Sequence, residues 1–179
     1  MREIIGVLRN APCRGLGGFV CILLALFSLP GCWASKTTND VSQDRRYLLG
    51  YMPGQVYRLR VPTPVTRYPG GSDDCFLETQ EYVQAKHPPD VRFVIVQVLP
   101  AGSRIRIDRL EHTRLAVRPI GFYESYVHVF VTSVDHPVDC GSLRLSPNVS
   151  GVIWLKEPNG ESTSIGTPLP ERMELEVDH

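Results

Sequence analysis

From residue 47 onward the chain alternates between apolar and polar positions with a period of two. Gln55–Val61 reads QVYRLRV, with Tyr57, Leu59 and Val61 on one side and Arg58 and Arg60 on the other. That is the pattern of a half-buried strand, and Pro53-Gly54 just before it marks a turn. Arg104–Leu110, RIRIDRL, repeats the pattern with Ile105 and Ile107 inward and Arg104, Arg106 and Asp108 outward. Tyr126–Val134, YVHVFVTSV, is a further strong strand, and Val152–Leu155 and Met173–Val177 are shorter ones. Val91–Leu99, VRFVIVQVL, is apolar on nearly both faces, which predicts a central strand covered on each side. Only Asp74–Lys86 competes as a helix, with Asp73 or Asp74 to cap it and Pro88-Pro89 to stop it. Six or so short strands, many turn residues and one short helix predict an all-β domain, either a small barrel or a β-sandwich.

One stretch narrows the choice of fold. After the apolar strand comes Pro-Ala-Gly-Ser-Arg-Ile-Arg-Ile (Pro100–Ile107), a tight turn leading into an alternating strand. With its flanks, Phe93–Thr132, this resembles the core of bacterial SH3-like barrel domains. The resemblance implies a small barrel without implying an activity, because such folds host many functions.

The N-terminus follows a different pattern. Arg2, Arg9 and Arg14 precede Gly15–Pro30, an uncharged apolar run that is short for a membrane span of roughly 20 residues and has the layout of a secretory signal peptide. The run closes on Leu29-Pro30-Gly31-Cys32, which resembles the lipobox of bacterial lipoproteins, with Pro30 in place of the commoner Ser or Ala. In that family the Cys is lipidated and becomes the first residue of the mature chain. The resemblance implies a signal peptide over 1–31, lipid on Cys32, and an anchor of several acyl chains, each methylene contributing about 0.8 kcal/mol. Trp33 after the Cys, not Asp, favours the outer membrane, facing the periplasm. A single uncleaved anchor, or an ordinary cleaved signal with an incidental Cys, is the plainer alternative. Cys32–Arg46, CWASKTTNDVSQDRR, is polar and unpatterned and reads as a flexible tether, leaving 47–179 as the β domain.

This division changes the composition arithmetic. The whole chain has 19 basic and 19 acidic residues. Without 1–31, which holds three Arg and one Glu, the balance is 16 to 18, a net of −2. A nucleic-acid partner would call for a clear basic excess, so none is expected. Cys13 and Cys21 leave with the signal and Cys32 carries lipid, so Cys75 and Cys140 remain. In an oxidising compartment an even pair suggests one disulfide; two free thiols, or a catalytic or metal role, are the alternatives.

Catalytic signals are sparse. The five His, at 87, 112, 128, 136 and 179, form no dense ligand set, so no metal or cofactor is expected. His128, between Tyr126 and Phe130 on one strand face, reads as a packed residue before it reads as a ligand. Gly70-Gly71-Ser72-Asp73-Asp74 lacks the acid ladder of a calcium loop and reads as a turn. There is no G-x-S-x-G elbow and no phosphate loop, and no enzyme is expected.

Arginine usage is the remaining clue, with only Lys36, Lys86 and Lys156 among the basic residues that are not Arg. Arg58, Arg60, Arg104 and Arg106 would form one guanidinium patch if their strands are neighbours. Such a patch suits an anionic partner: peptidoglycan carboxylates, lipid phosphates or an acidic protein. The plainer reading is a solvated face on which they pair with Asp108, Glu111 and the acidic tail. The expectation is a membrane-anchored envelope protein with a small β binding or scaffolding domain, whose partner is an envelope protein or peptidoglycan. The alternatives are an envelope enzyme with a dispersed site, using Cys75 or a Ser/His pair, and a structural subunit of a secretion or assembly machine.

Overall fold

A computed structural model of the chain describes residues 33–69, 73–85, 93–118 and 122–177. The chain divides into two compact units. The first joins Met1–Ala34 to Val117–Phe122, and few of its residues are among those described. The second, Ser35–Ala116 with Tyr123–His179, carries the sheet.

The strands are β1 (Trp33–Asp40), β2 (Val56–Leu59), β3 (Thr63–Arg67), β4 (Asp74–Leu77), β5 (Val94–Leu99), β6 (Arg104–Arg118), β7 (Phe122–Ser133), β8 (Ser142–Leu145), β9 (Ser150–Lys156), β10 (Ser162–Pro168) and β11 (Met173–Leu175). The domain is all-β, as the alternation predicts. The main path runs β11-β2-β6-β7-β8-β4-β3-β5, with β1 on β6, β10 on β7, and β9 on β10. It is open at both ends and not closed into a barrel.

Most of the inward residues are those the alternation selects, but Leu175 and Val177, in step with Met173, are 44% and 63% exposed. Tyr57, Leu59, Ile105, Ile107 and Met173 are all buried, joined by Val127, Val129 and Val131 of β7. In β6 the inward positions change parity between Ile107 and Leu110. Gln55 pairs with Ile107 on one side of that change, and Val41 donates to the Leu110 carbonyl on the other. A shift of one residue sends every following side chain to the other face, so Leu110 and His112 point inward.

Three expectations are corrected. The stretch 33–46 is not an unpatterned tether: Trp33–Asp40 forms β1 on β6, and Val41 and Tyr47 are core residues. Backbone pairing to a long neighbouring strand needs no hydrophobic alternation, which is why the sequence does not announce β1. The helix is short: α1 spans Gln80–Gln84 and is capped by Thr79, whose hydroxyl accepts from the Tyr82 amide, while Asp74–Leu77 is strand. Third, β5 is not central. It ends the path and among the described residues pairs only with β3, with Val94, Ile95, Val96 and Val98 at 58%, 47%, 38% and 47% exposure. An apolar strand covered on both faces and an uncovered apolar edge strand have the same sequence pattern.

Candidate functional site

The structure brings the four arginines together on one sheet face. In the ladder Arg58 stands opposite Arg104, and Glu174 of β11 stands opposite Arg58. Each guanidinium has a carboxylate of its own chain. Arg58 reaches Glu176 at 2.7 Å, Arg60 reaches Glu174 at 2.6 Å, Arg104 reaches Asp135 at 2.7 Å and Arg106 reaches Asp108 at 3.2 Å. The bond from Arg104 holds the Asp135 carboxyl below the usual carboxylate range. An anionic partner would compete with these acids for the exposed guanidinium groups.

Cys75 and Cys140 form a disulfide, with Cα atoms 6.0 Å apart. It ties β4 to the segment that leads into β8. Asp74, at the start of β4, takes hydrogen bonds from Ser142 and Arg144 of the parallel neighbour β8, each at 2.5 Å. Cys32 and the turn residues Gly70–Ser72 lie outside the described residues.

His128 is packed. Its ring lies 4.8 Å from Tyr126 and 6.2 Å from Phe130, both edge to face. Burial, with the charge of Arg144 adding to it, pushes its pKa down to about 4, so at neutral pH the imidazole is uncharged. Phe130 is in turn sandwiched by the guanidinium groups of Arg109 at 3.8 Å and Arg144 at 4.7 Å.

A Ser/His contact exists that no sequence motif marks. His112 Nε2 lies 2.7 Å from Ser125 Oγ, Ser125 Oγ lies 2.8 Å from Thr163 Oγ1, and Thr163 donates to Glu157 at 3.0 Å. Glu157 also takes the Tyr47 hydroxyl proton at 2.8 Å. Hydrogen bonds from Tyr47 and Thr163 outweigh its burial and hold its carboxyl below the ordinary value, so it is an ionised acceptor. That fixes the direction of the chain. Thr163 gives its proton to Glu157, Ser125 gives its proton to Thr163, and His112 must therefore donate from Nε2. A histidine that donates to the serine cannot act as its base, and Ser125 is 6% exposed. The network therefore orients buried groups; it is not an activated nucleophile. Only the strand pairing brings these residues together, and a period-two pattern carries no information about which inward residue meets which.

The last feature is a wedge. β10 meets β7 at one position, Ser164 opposite Tyr126, while β8 joins β7 at Phe130 and Val131. Between these points a cavity of about 230 Å³ opens, walled by Val127, Val129, Leu145 and Ile165, with His128 and Ser150 as polar groups. Val152 of β9 forms part of its rim. Next to it, Trp154 pairs with Ser164 in the ladder and is 70% exposed.

No protein-family model matches this chain, and no curated protein or solved structure is detectably similar to it.

Proposed function

We propose that this is a lipid-anchored protein of the bacterial cell envelope, in the outer membrane and facing the periplasm, whose β domain works by binding other proteins. The observation that carries the binding role is the pair of exposed apolar strands β5 and β9, β5 without a charge and β9 with one, Lys156 at its end. Val152, Ile153 and Trp154 of β9 are 45%, 36% and 70% exposed, and among the described residues β9 pairs only with β10. Exposed apolar strand edges are templates for pairing with another chain. The envelope address rests on Leu29-Pro30-Gly31-Cys32. It is supported by the Cys75–Cys140 disulfide, a bond that persists in oxidising compartments.

The arginine face gives peptidoglycan less support as the partner, because each guanidinium is paired with an acid of the same chain that a carboxylate would have to compete with. The inward-donating His112 gives no support to an enzyme. Replacing Cys32 with Ser is expected to abolish palmitate labelling and release the chain from membranes. Membrane association unchanged in Cys32→Ser overturns the anchor.

A further inference from the structure

We infer that the lipid on Cys32 holds the sheet directly against the phospholipid headgroup layer, with the Ser35 end of β1, and the exposed lysines Lys36 and Lys156, facing the membrane. This rests on the lipid anchor proposed above and deepens it, because it fixes which end of the domain meets the bilayer.

β1 leaves no length for a tether. The Val41 amide donates to the Leu110 carbonyl at 2.9 Å. Three residues earlier, Thr38 Oγ1 lies 3.2 Å from the hydroxyl of Thr113, three residues later on β6. The two strands therefore run antiparallel, and the same register sets Lys36 beside Leu115 and Ser35 beside Ala116. From Cys32 to Ser35 is three residue steps, which span at most about 11 Å of extended chain. Acyl chains on Cys32 put that residue at the foot of the headgroup layer, which is about 5–8 Å deep. Ser35 therefore lies within that layer or a few ångströms outside it. A flexible stretch over 32–46 would instead give the domain roughly 20 Å of free reach.

The side chains at this end suit a surface of phosphates. Lys36 and Lys156 are exposed, and among the described residues neither has an acid partner. Lys156 stands opposite Ser162, beside Glu161, whose carboxylate takes bonds from Arg114 and Tyr123. Arg114 lies on β6 next to Leu115, the neighbour of Lys36, so both lysines are at one end of the sheet. Glu124 is an exposed acid here, and the two lysines outweigh it. Arg58, Arg60, Arg104 and Arg106, toward the other end of β6, each have a carboxylate of the same chain. Free ammonium groups on long stems are the side chains that reach lipid phosphates beside a membrane anchor. Trp154 lies two residues from Lys156, so a protein that pairs with β9 does so near the membrane surface.

The test uses the full chain in cell membranes. A photo-crosslinking residue in place of Ser35 is expected to give an adduct with phospholipid, read by mass. The same residue in place of Ala101, in the exposed turn before β6, is expected to give none, since β6 carries that turn about 40 Å along the strand from Ala116. Palmitate labelling is measured on the same samples, and an oxidised Cys75–Cys140 disulfide shows that each variant folds. A flexible insert of about 20 Gly and Ser residues between Ala34 and Ser35, with a reach on the order of 25 Å, is expected to lower the Ser35 adduct at least about threefold and leave palmitate labelling unchanged. No lipid adduct from Ser35 in palmitate-labelled protein, equal adducts from Ser35 and Ala101, or an adduct that the insert does not lower overturns the proposal while the anchor stands. Absence of the palmitate label overturns the anchor and the proposal with it.

Discussion

The sheet presents two kinds of exposed strand. On β2, β6 and β11 the outward positions are charged, and the carboxylates that meet their arginines come from the same chain: Arg58 with Glu176, Arg60 with Glu174, Arg104 with Asp135. On β9 and β5 the outward positions are mainly Val, Ile and Trp, with Lys156 at the end of β9, and among the described residues each of the two has one neighbouring strand. A face whose arginines each pair with an acid of the same chain is largely balanced within the monomer, so an anionic newcomer competes with the acids already there. An apolar edge is unfinished, because its backbone groups and its apolar side chains both gain from a second strand. The electrostatically richest surface is thus already balanced, and the plainest one is the more open to a partner.

The sharpest way to break this comparison is to separate what the charged region shows from what holds it. Beneath the arginines lie Ile105, Leu59 and Met173, each at most 1% exposed. Ile105→Ala removes a buried aliphatic side chain and is expected to lower unfolding free energy by about 2–5 kcal/mol, measured by urea denaturation. Arg104→Ala, its neighbour on the same strand, leaves the core untouched and is expected to cost well under that. Comparable losses from the two variants would mean that the charge lattice, not the core beneath it, holds β6 in place.

A smaller effect sharpens the other side. Unfolded, His128 takes up a proton near its ordinary value of about 6.5; in the sheet it does so only near 4. Between those values the unfolded chain binds the proton and the native chain does not. Stability therefore falls as pH drops through that window, by a loss on the order of 2–3 kcal/mol, and is insensitive to this group above about pH 7. The lowered glutamates Glu157 and Glu161, with an ordinary value of 4.5, begin to lose their own contribution as pH approaches 4.5, while Asp135 acts mainly at lower pH. Chemical denaturation at pH 7 and pH 4.5 is expected to show the loss in the wild type and a clearly smaller one in His128→Gln. His112, lowered by burial, and the lowered glutamates account for the remainder. An unchanged loss in His128→Gln would remove His128 from the account.

What the chain made legible follows from one physical rule. Alternation reports which residues face inward, and it located β2, β6, β7, β9 and β11 because each carries apolar residues at every second position. It missed β3, where Pro64 stands inside the strand, and β10, STSIGTP, whose small polar residues and glycine give no periodic signal. Both are held by their neighbours: β10 by seven paired positions with β9, β3 between β4 and β5. The arginines could be placed on one face from the sequence, and so could three of their acids: Arg106 pairs with Asp108, and Arg58 and Arg60 pair with Glu176 and Glu174 of the acidic tail, whereas Asp135, the partner of Arg104, carried no signal. The Cys75–Cys140 pair was within reach because so few cysteines remained to pair. The His112–Ser125–Thr163–Glu157 chain joins inward positions of strands whose pairing is set only by the whole fold, so no local pattern could reveal it.

The smallest effect bears most directly on the comparison. Arg60 and Glu174 lie on the charged face, with side chains 50% and 47% exposed, and the guanidinium donates to one carboxylate oxygen from both Nε and Nη2. Exposed pairs of this kind contribute about 0.2–1 kcal/mol, because water screens them and two long side chains must be held still. A double-mutant cycle with Arg60→Ala and Glu174→Ala is expected to give a coupling in that range, shrinking as salt is raised toward 1 M, where the screening length is about 3 Å. Such a value means that the charged face is balanced while adding little to stability. A coupling several times larger and independent of salt would instead make this face a structural clamp, and the contrast with the apolar edge β9 would then be one of rigidity and no longer one of availability.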